Sequence, residues 1–263
     1  MAAVEFFHLH APLGLWIFGF MNLLWLISFK LKNSSIIDIF WGTGFVFAAW
    51  FSFLRTLESI GPRDWLILIL VTIWGLRLSF YVLWRNTGKG EDFRYAKWRQ
   101  AAGESWWWKS YFKVYLLQGL IMWVIASPIT AVQIPYANDR LTVFDIIGVL
   151  IWVVGFFFEV VGDAQLAKFK ADPENKGKLL QTGLWRTTRH PNYLGDASQW
   201  WGFYLIALAS GAWWTFFSPL WMTHFLVNVS GVAMLERTLK VTKPGYQDYV
   251  EKTNAFIPWF SKN

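Results

Sequence analysis

The residues best placed to do chemistry lie in Gly183-Leu184-Trp185-Arg186-Thr187-Thr188-Arg189-His190-Pro191-Asn192-Tyr193-Leu194-Gly195-Asp196, which runs into Gln199-Trp200-Trp201-Gly202. The stretch is basic and turn-forming, and a long apolar run follows it. Pro191 suits the first turn of a helix, where a missing N–H has no partner to lose. A helix starting there carries Asn192 and Asp196 on one face, one turn apart. Its N-terminus, with Arg189 and His190 beside it, is an anion site. A loop whose cations meet lipid headgroups accounts for the same residues.

Further ionisable residues sit inside apolar runs or at their ends, where they are costly and mark a site or a wet cavity. They are Asp38, Arg77, Glu159, Asp163, Asp196 and Glu236. Glu159 and Asp163 are four apart, as are Arg77 and Tyr81, so each pair faces one way on a helix. Asp38 with Arg77 is the expected neutralising pair, and structural networks of that kind are the alternative to a functional cluster. The segment Arg85-Asn86-Thr87-Gly88-Lys89-Gly90-Glu91-Asp92-Phe93-Arg94-Tyr95 combines glycines that allow close backbone approach with cations that suit phosphate. A collar for lipid headgroups fits it equally well. Gln118 reads as a lining group or a helix–helix hydrogen bond.

The chain that must position these groups has 263 residues, 55% hydrophobic and only 16% charged, with 20 Trp and 24 Phe. A soluble domain is nearer a quarter charged, so this composition is that of a multi-pass membrane protein. With no Cys, thiolate nucleophiles, disulfides and Cys-ligated metals are excluded. No His–carboxylate spacing suggests a metal site. P-loop, dinucleotide-fold and nucleophile-elbow motifs are absent, so a soluble nucleotide-binding fold is not expected. No basic leader with a cleavage site opens the chain.

A helix needs about 20 apolar residues to cross a bilayer. Seven such runs are expected, at about 13–31, 36–54, 65–84, 111–129, 143–162, 193–209 and 213–235, in one all-α domain. Residues 210–212 make a tight hairpin of the last two. With seven alternating spans, every Lys and Arg except Arg55, Arg63, Arg77 and Arg140 falls on one side. The positive-inside rule makes that side cytosolic, with the N-terminus outside and the C-terminus inside. The net charge of +7 is then membrane topology, not a nucleic-acid footprint. The six ionisable positions all fall in the cytosolic part of the bundle. Trp106-Trp107-Trp108 reads as an interfacial belt.

The stretch from Leu184 to Asp196 resembles the "LW…RHPNYLGD" signature of the membrane reductases related to steroid 5α-reductase and sterol C14 reductase. Glu159, Asp163, Gln165, Phe169 and Lys170 match the segment before it. Gly88 to Tyr95, and the tail with Tyr246-Gln247-Asp248-Tyr249 and Ile257-Pro258, are similar to the bacterial branch, for which a bacterial inner-membrane location is expected. The resemblance runs from the second span to the C-terminus and is most specific over 159–202. It implies a seven-helix membrane bundle whose cytosolic loops close a cofactor cavity. The implied reaction is NADPH-dependent reduction of an enone, such as a 3-oxo-Δ4-steroid, by hydride transfer to the β-carbon. A protein acid would stabilise the charge developing on the carbonyl oxygen.

By position, the resemblance implies cofactor contacts at Lys89, Arg94, Tyr95, Glu159, Asp163, Lys170, Arg189, His190, Asn192, Tyr193, Asp196 and Arg237. Glu159 stands where vertebrate enzymes carry an amide. Lys170 stands where they carry Arg, keeping the charge and losing the bidentate fork. Glu236 departs in charge from a basic position. The acid implied on the second helix is Asp38. The tyrosine position of the third helix aligns with Trp74, which has no hydroxyl; Tyr81, two turns on, is the substitute on the same side. Membrane lipid and a greasy enone are the expected partners, and no oligomer is implied. Isoprenylcysteine and phospholipid methyltransferases share a similar "RHP-x-Y-x-G" stretch, so an S-adenosylmethionine-dependent methyltransferase is the second reading. A non-catalytic sterol-binding protein is the third.

Overall fold

In the computed structural model the described residues are 2–134, 140–229 and 231–258, without side-chain detail for 2 and 3. Among them every regular element is helical. Five helical stretches are long and apolar enough to cross a membrane: Val4–Leu31, Ile36–Arg55, Pro62–Asn86, Phe93–Val132 and Val143–Ala171. The chain divides into two compact units. One is Met1–Leu141 with Ala207–Thr215; the other is Thr142–Ile206 with Phe216–Asn263.

The first unit opens with α1 (Ala2–Leu31), α2 (Ile36–Arg55) and α3 (Pro62–Asn86). Pro62 starts α3 where no N–H is missed, and Asp64 accepts the Gly61 N–H at 2.8 Å to close that end. α2 and α3 meet backbone to backbone: a Cβ on Gly42 would lie 2.2 Å from the Gly75 carbonyl oxygen, and one on Gly75 2.5 Å from that of Gly42. Small residues permit this approach between membrane helices. Ser79 then accepts the Thr43 N–H and hydroxyl at 2.9 and 2.8 Å.

Two expected spans take a different form. The fourth, predicted at 111–129, belongs to a helical path that starts eighteen residues earlier. It comprises α4 (Phe93–Ala102), α5 (Trp106–Ser110), a wide π-type turn at Tyr111–Leu116, α6 (Leu117–Ile125) and α7 (Ser127–Val132). The stretch expected to join the third and fourth spans is largely helical, and α4 starts there because Asp92 caps it by accepting the Arg94 N–H at 3.0 Å and the sequence after it is rich in helix formers.

The second unit begins with α8 (Val143–Ala171) and α9 (Pro191–Ala209). α9 starts at Pro191, as the sequence indicates. A glycine seam with seven-residue spacing packs the two antiparallel. A Cβ would lie 2.8 Å from the Gly202 oxygen at Gly148, 2.6 Å from the Gly195 oxygen at Gly155, and 3.1 Å from Pro191 at Gly162. α9 ends in a turn in which Ala212 N–H reaches back to Ala207 at 2.9 Å, with Gly211 at φ +89°; this left-handed residue closes a helix C-terminus.

The predicted continuous span at 213–235 is divided among the described residues. α10 (Phe217–His224) passes into a π-type turn at Phe225–Val229, and α11 (Val232–Thr242) follows. Gly231, with φ −101° and ψ −106°, leaves the helical region. A Cβ there would meet the Leu226 carbonyl oxygen at 2.1 Å, so only glycine fits the break. α12 (Tyr246–Lys252) completes the tail.

Candidate functional site

In the first unit, Asp38 stands in the first turn of α2. Its Oδ2 accepts from Arg94 Nη2 at 2.7 Å and its Oδ1 accepts from the Tyr95 hydroxyl at 2.5 Å. Gln118 donates to the Tyr95 oxygen at 3.3 Å. Tyr95 is only 3% exposed. The Asp38–Arg77 pair read from the sequence thus gives way to Asp38–Arg94, because α4 starts early enough to bring Arg94 and Tyr95 to the start of α2. Arg77 has its guanidinium 5.0 Å from the Tyr81 ring centre, and Arg85 lies 5.7 Å from the same ring. The hydroxyl on Asp38 is therefore that of Tyr95, while the Tyr81 ring is held among cations.

Two loop acids frame this cluster. Asp92 Oδ1 accepts both the N–H and the Nε–H of Arg94, at 3.0 and 2.8 Å. Its own N–H donates to Ser35 Oγ at 3.2 Å. Glu91 is bound by Arg99 through Nε and Nη2 at 2.9 and 2.8 Å, and accepts the Ser34 N–H at 2.5 Å. Burial works against ionisation of both acids. The bonds from Arg99 and Ser34 to Glu91, and from Arg94 to Asp92, outweigh it and hold both below the usual carboxylate range. Lys89 is exposed on the same loop.

In the second unit, the glycine seam brings the acids of α8 to the amides of α9. Asn192 donates to Asp163 Oδ1 at 3.0 Å, and Gln199 donates to Glu159 Oε2 at 2.6 Å and to the Gly195 carbonyl at 3.2 Å. Asp196, also buried, lies on the same helix between them. Trp185 Nε1 donates to the Gly162 carbonyl at 3.1 Å, and Gln165 accepts the Leu184 N–H at 3.0 Å. These bonds fix the basic stretch to α8. Lys170 and Arg237 are exposed, at the end of α8 and on α11.

Arg189 is 7% exposed and its donors are consumed internally. Nε and Nη2 reach Glu236 Oε1 at 2.9 and 2.7 Å, and Nη1 donates to the carbonyls of Val250, at 3.2 Å, and Thr253. His190 Nε2 lies 3.2 Å from the same Glu236 oxygen, and its ring stacks on Tyr193 at 5.7 Å. Glu236 lies past the last apolar run. Burial opposes its charge, yet the bonds from His190 and Arg189, with the guanidinium charge, hold its carboxyl at about 2. Around this centre the tail is tied down: Arg189 N–H donates to Asn254 O at 2.9 Å. Thr188 donates to Ala255 O and Phe256 O at 3.1 and 2.9 Å, and Tyr249 to Trp185 O.

Sequence reasoning missed Asp92, Glu91 and Gln199 as members of these clusters. Asp92 two residues before Arg94 has the spacing of a helix cap, and the seven-residue glycine repeat on α8 and α9 marks the seam that carries Gln199.

The fold and these clusters define an all-helical, multi-pass membrane protein with buried acid–amide and acid–cation networks. Residues 24–253 match the family described as a protein of unknown function, DUF1295, and the chain belongs to that family. It is similar to an uncharacterized protein of Schizosaccharomyces pombe, 29% identical over 266 residues covering 90% of this chain and 76% of the relative. No solved structure matches it.

Proposed function

We propose that this protein reduces the C=C bond of an apolar enone with NADPH, a 3-oxo-Δ4-steroid giving its 5α product being the substrate class to which the resemblance points. The observation that carries the reading is the 2.5 Å bond between the Tyr95 hydroxyl and the Asp38 carboxylate. The resemblance calls for a carboxyl on the second helix and a tyrosine hydroxyl, and Asp38 and Tyr95 are such a couple. Addition of hydride at the β-carbon of an enone drives charge onto the carbonyl oxygen, and a pre-oriented hydroxyl in a water-poor site stabilises that charge. Tyr95 is the group that donates to this oxygen: the substrate takes over the one hydroxyl hydrogen that Asp38 otherwise accepts, while Gln118 keeps its bond to the phenol oxygen, and a solvent proton at the α-carbon completes the reduction. Arg94 keeps Asp38 from standing as an isolated charge.

Cofactor binding is assigned to the second unit, and the residues there fit a dinucleotide. Asp163, Asp196 and Glu159 are acceptors suited to ribose hydroxyls. The Asn192 and Gln199 amides already donate to the acids of α8, and the Gln199 oxygen, buried with no hydrogen-bond partner among the described residues, is an acceptor for a carboxamide N–H. Lys170 and Arg237 are exposed cations suited to phosphate oxygens. Bound NADPH would supply the hydride. Arg189 and His190, through Glu236, contribute by fixing the tail and the start of α9. Seven spans, with the N-terminus outside and the C-terminus in the cytosol, complete the reading through the positive-inside rule.

The test is recovery of cofactor from the purified protein, followed by a steroid enone panel with NADPH consumption measured. NADPH is expected; S-adenosylmethionine instead would overturn the proposal in favour of a methyltransferase. Sterol binding without turnover would make it a binding protein. Asp196→Ala is expected to lose NADPH binding, and Asp38→Ala to keep it and lose turnover. Equal loss of NADPH affinity in both would refute this division of labour.

A further inference from the structure

We infer that Asp92 is a positioning residue for the Asp38–Tyr95 acid, acting through Arg94. The inference rests on the reductase reading for its kinetic consequence and on geometry alone for its structural one. A side chain such as Arg94, half-buried at the first turn of a short helix, has many rotamers. One carboxylate, Asp92, removes that freedom by accepting both the backbone N–H and the Nε–H of Arg94. With those two points fixed, the remaining fork of the guanidinium is aimed, and Nη2 lands on Asp38 at 2.7 Å. Asp38 keeps its other oxygen for Tyr95.

Asp92 is itself braced to the helix that carries Asp38. Its N–H donates to Ser35 Oγ, three residues before Asp38, and Ser35 in turn is held by Asn33 at 2.6 Å. The neighbouring Glu91 repeats the brace on Ser34, whose hydroxyl and carbonyl also accept from Trp106 and Tyr115 at 3.1 and 3.2 Å. The first turn of α4, with Arg94 and Tyr95, is thereby registered against the first turn of α2. Placement errors of an ångström at a reacting group cost about a hundredfold in rate, which gives this bracing a purpose beyond capping α4.

The test uses the full-length protein in detergent, with 3-fluorotyrosine introduced at position 95. Asp92→Ala is expected to move or broaden the fluorine resonance. It should also lower kcat for an enone by about tenfold to a hundredfold, with the NADPH KM within error of the wild type and the thermal midpoint lowered only by the loss of the α4 cap. Asp92→Asn keeps the cap and the Oδ1 acceptor and is expected to restore the resonance and most of kcat. It also serves if the alanine variant fails to fold. An unmoved resonance in Asp92→Ala, or an Asn variant as defective as the Ala variant, would overturn the inference. So would a moved resonance with unchanged kcat in a protein that turns over enone. A moved resonance, with rescue by Asn, in a protein that turns over no enone would uphold the positioning role and sink the reductase reading instead.

Discussion

The two polar clusters are built from the same groups in opposite proportions. In the first unit one guanidinium, Arg94, is shared by two carboxylates, and the second oxygen of Asp38 is left to a tyrosine hydroxyl. In the second unit one carboxylate, Glu236, is shared by Arg189 and His190, and Arg189 spends its remaining donors on backbone carbonyls of the tail. The first arrangement ends in a hydroxyl hydrogen that a carbonyl oxygen can compete for. The second ends in the protein's own backbone. Residue type therefore does not distinguish the two clusters; the destination of the last donor does.

The sharpest way to break that contrast is to remove each arginine. Arg189→Ala leaves the half-buried Glu236 with only His190 beside it and the Val250 and Thr253 carbonyls without their donor. It is expected to destabilise by about 3–5 kcal/mol. Arg94→Ala is expected to cost less, about 1.5–3 kcal/mol, because water reaches Arg94 and Asp38, whose side chains are 24% and 20% exposed. Denaturant midpoints of the solubilised protein measure both. A larger loss at Arg94 would show that the first cluster is the structural one.

Acid sharpens the same contrast with a smaller effect. The Glu236 carboxyl sits at about 2, against an ordinary value of 4.5. A carboxyl depressed on folding contributes stability that is fully present above its unfolded value, and is lost as pH falls toward its folded value. That contribution is thus intact above about pH 4.5 and gone near pH 2. Glu236→Gln is expected to flatten the acid limb of a stability–pH curve in that window. Asp92 is depressed in the same direction; its side chain, 25% exposed, gives up more of its ion pairing to water. Asp92→Asn is accordingly expected to flatten the limb less. The reverse order would reverse the assignment of a scaffold role to the Glu236 cluster.

Much of this was legible in the sequence, for identifiable reasons. The apolar runs at 36–54 and 143–162 announced α2 and α8, and Pro191 announced the start of α9, since each rests on local chemistry. The helical spacings of Glu159 with Asp163 and of Asn192 with Asp196 put each pair on one face, but the bond between Asn192 and Asp163 depends on how α8 and α9 pack. The partner of Asp38 was not legible, because it depends on where α4 begins, and that is decided by a cap at Asp92 inside a segment that reads as a glycine-rich loop. Arg189 looked like an anion ligand because its neighbours are basic; the carbonyls that consume it lie some sixty residues away in the tail, and no spacing rule reaches that far. The break at Gly231 was hidden by apolar residues on both sides, which a hydropathy window cannot distinguish from a continuous span.

The finest probe of the scaffold role is Thr188. Its one hydroxyl hydrogen is shared between the carbonyls of Ala255 and Phe256, and its oxygen accepts the His190 N–H at 3.3 Å. The side chain thus links the tail to the residue that contacts Glu236, without touching any acid or amide assigned to the cofactor. Thr188→Ala is expected to cost about 1 kcal/mol, the net worth of one such bond, and to speed amide hydrogen exchange over residues 250–256. Thr188→Ser keeps the hydroxyl and is expected to restore both. NADPH affinity should follow the exchange rate and change by no more than a few fold, because Thr188 acts on the site through His190 and the start of α9. If Thr188→Ala abolished NADPH binding while leaving exchange untouched, the hydroxyl would be a ligand, and the second cluster would have to be read as chemistry as well.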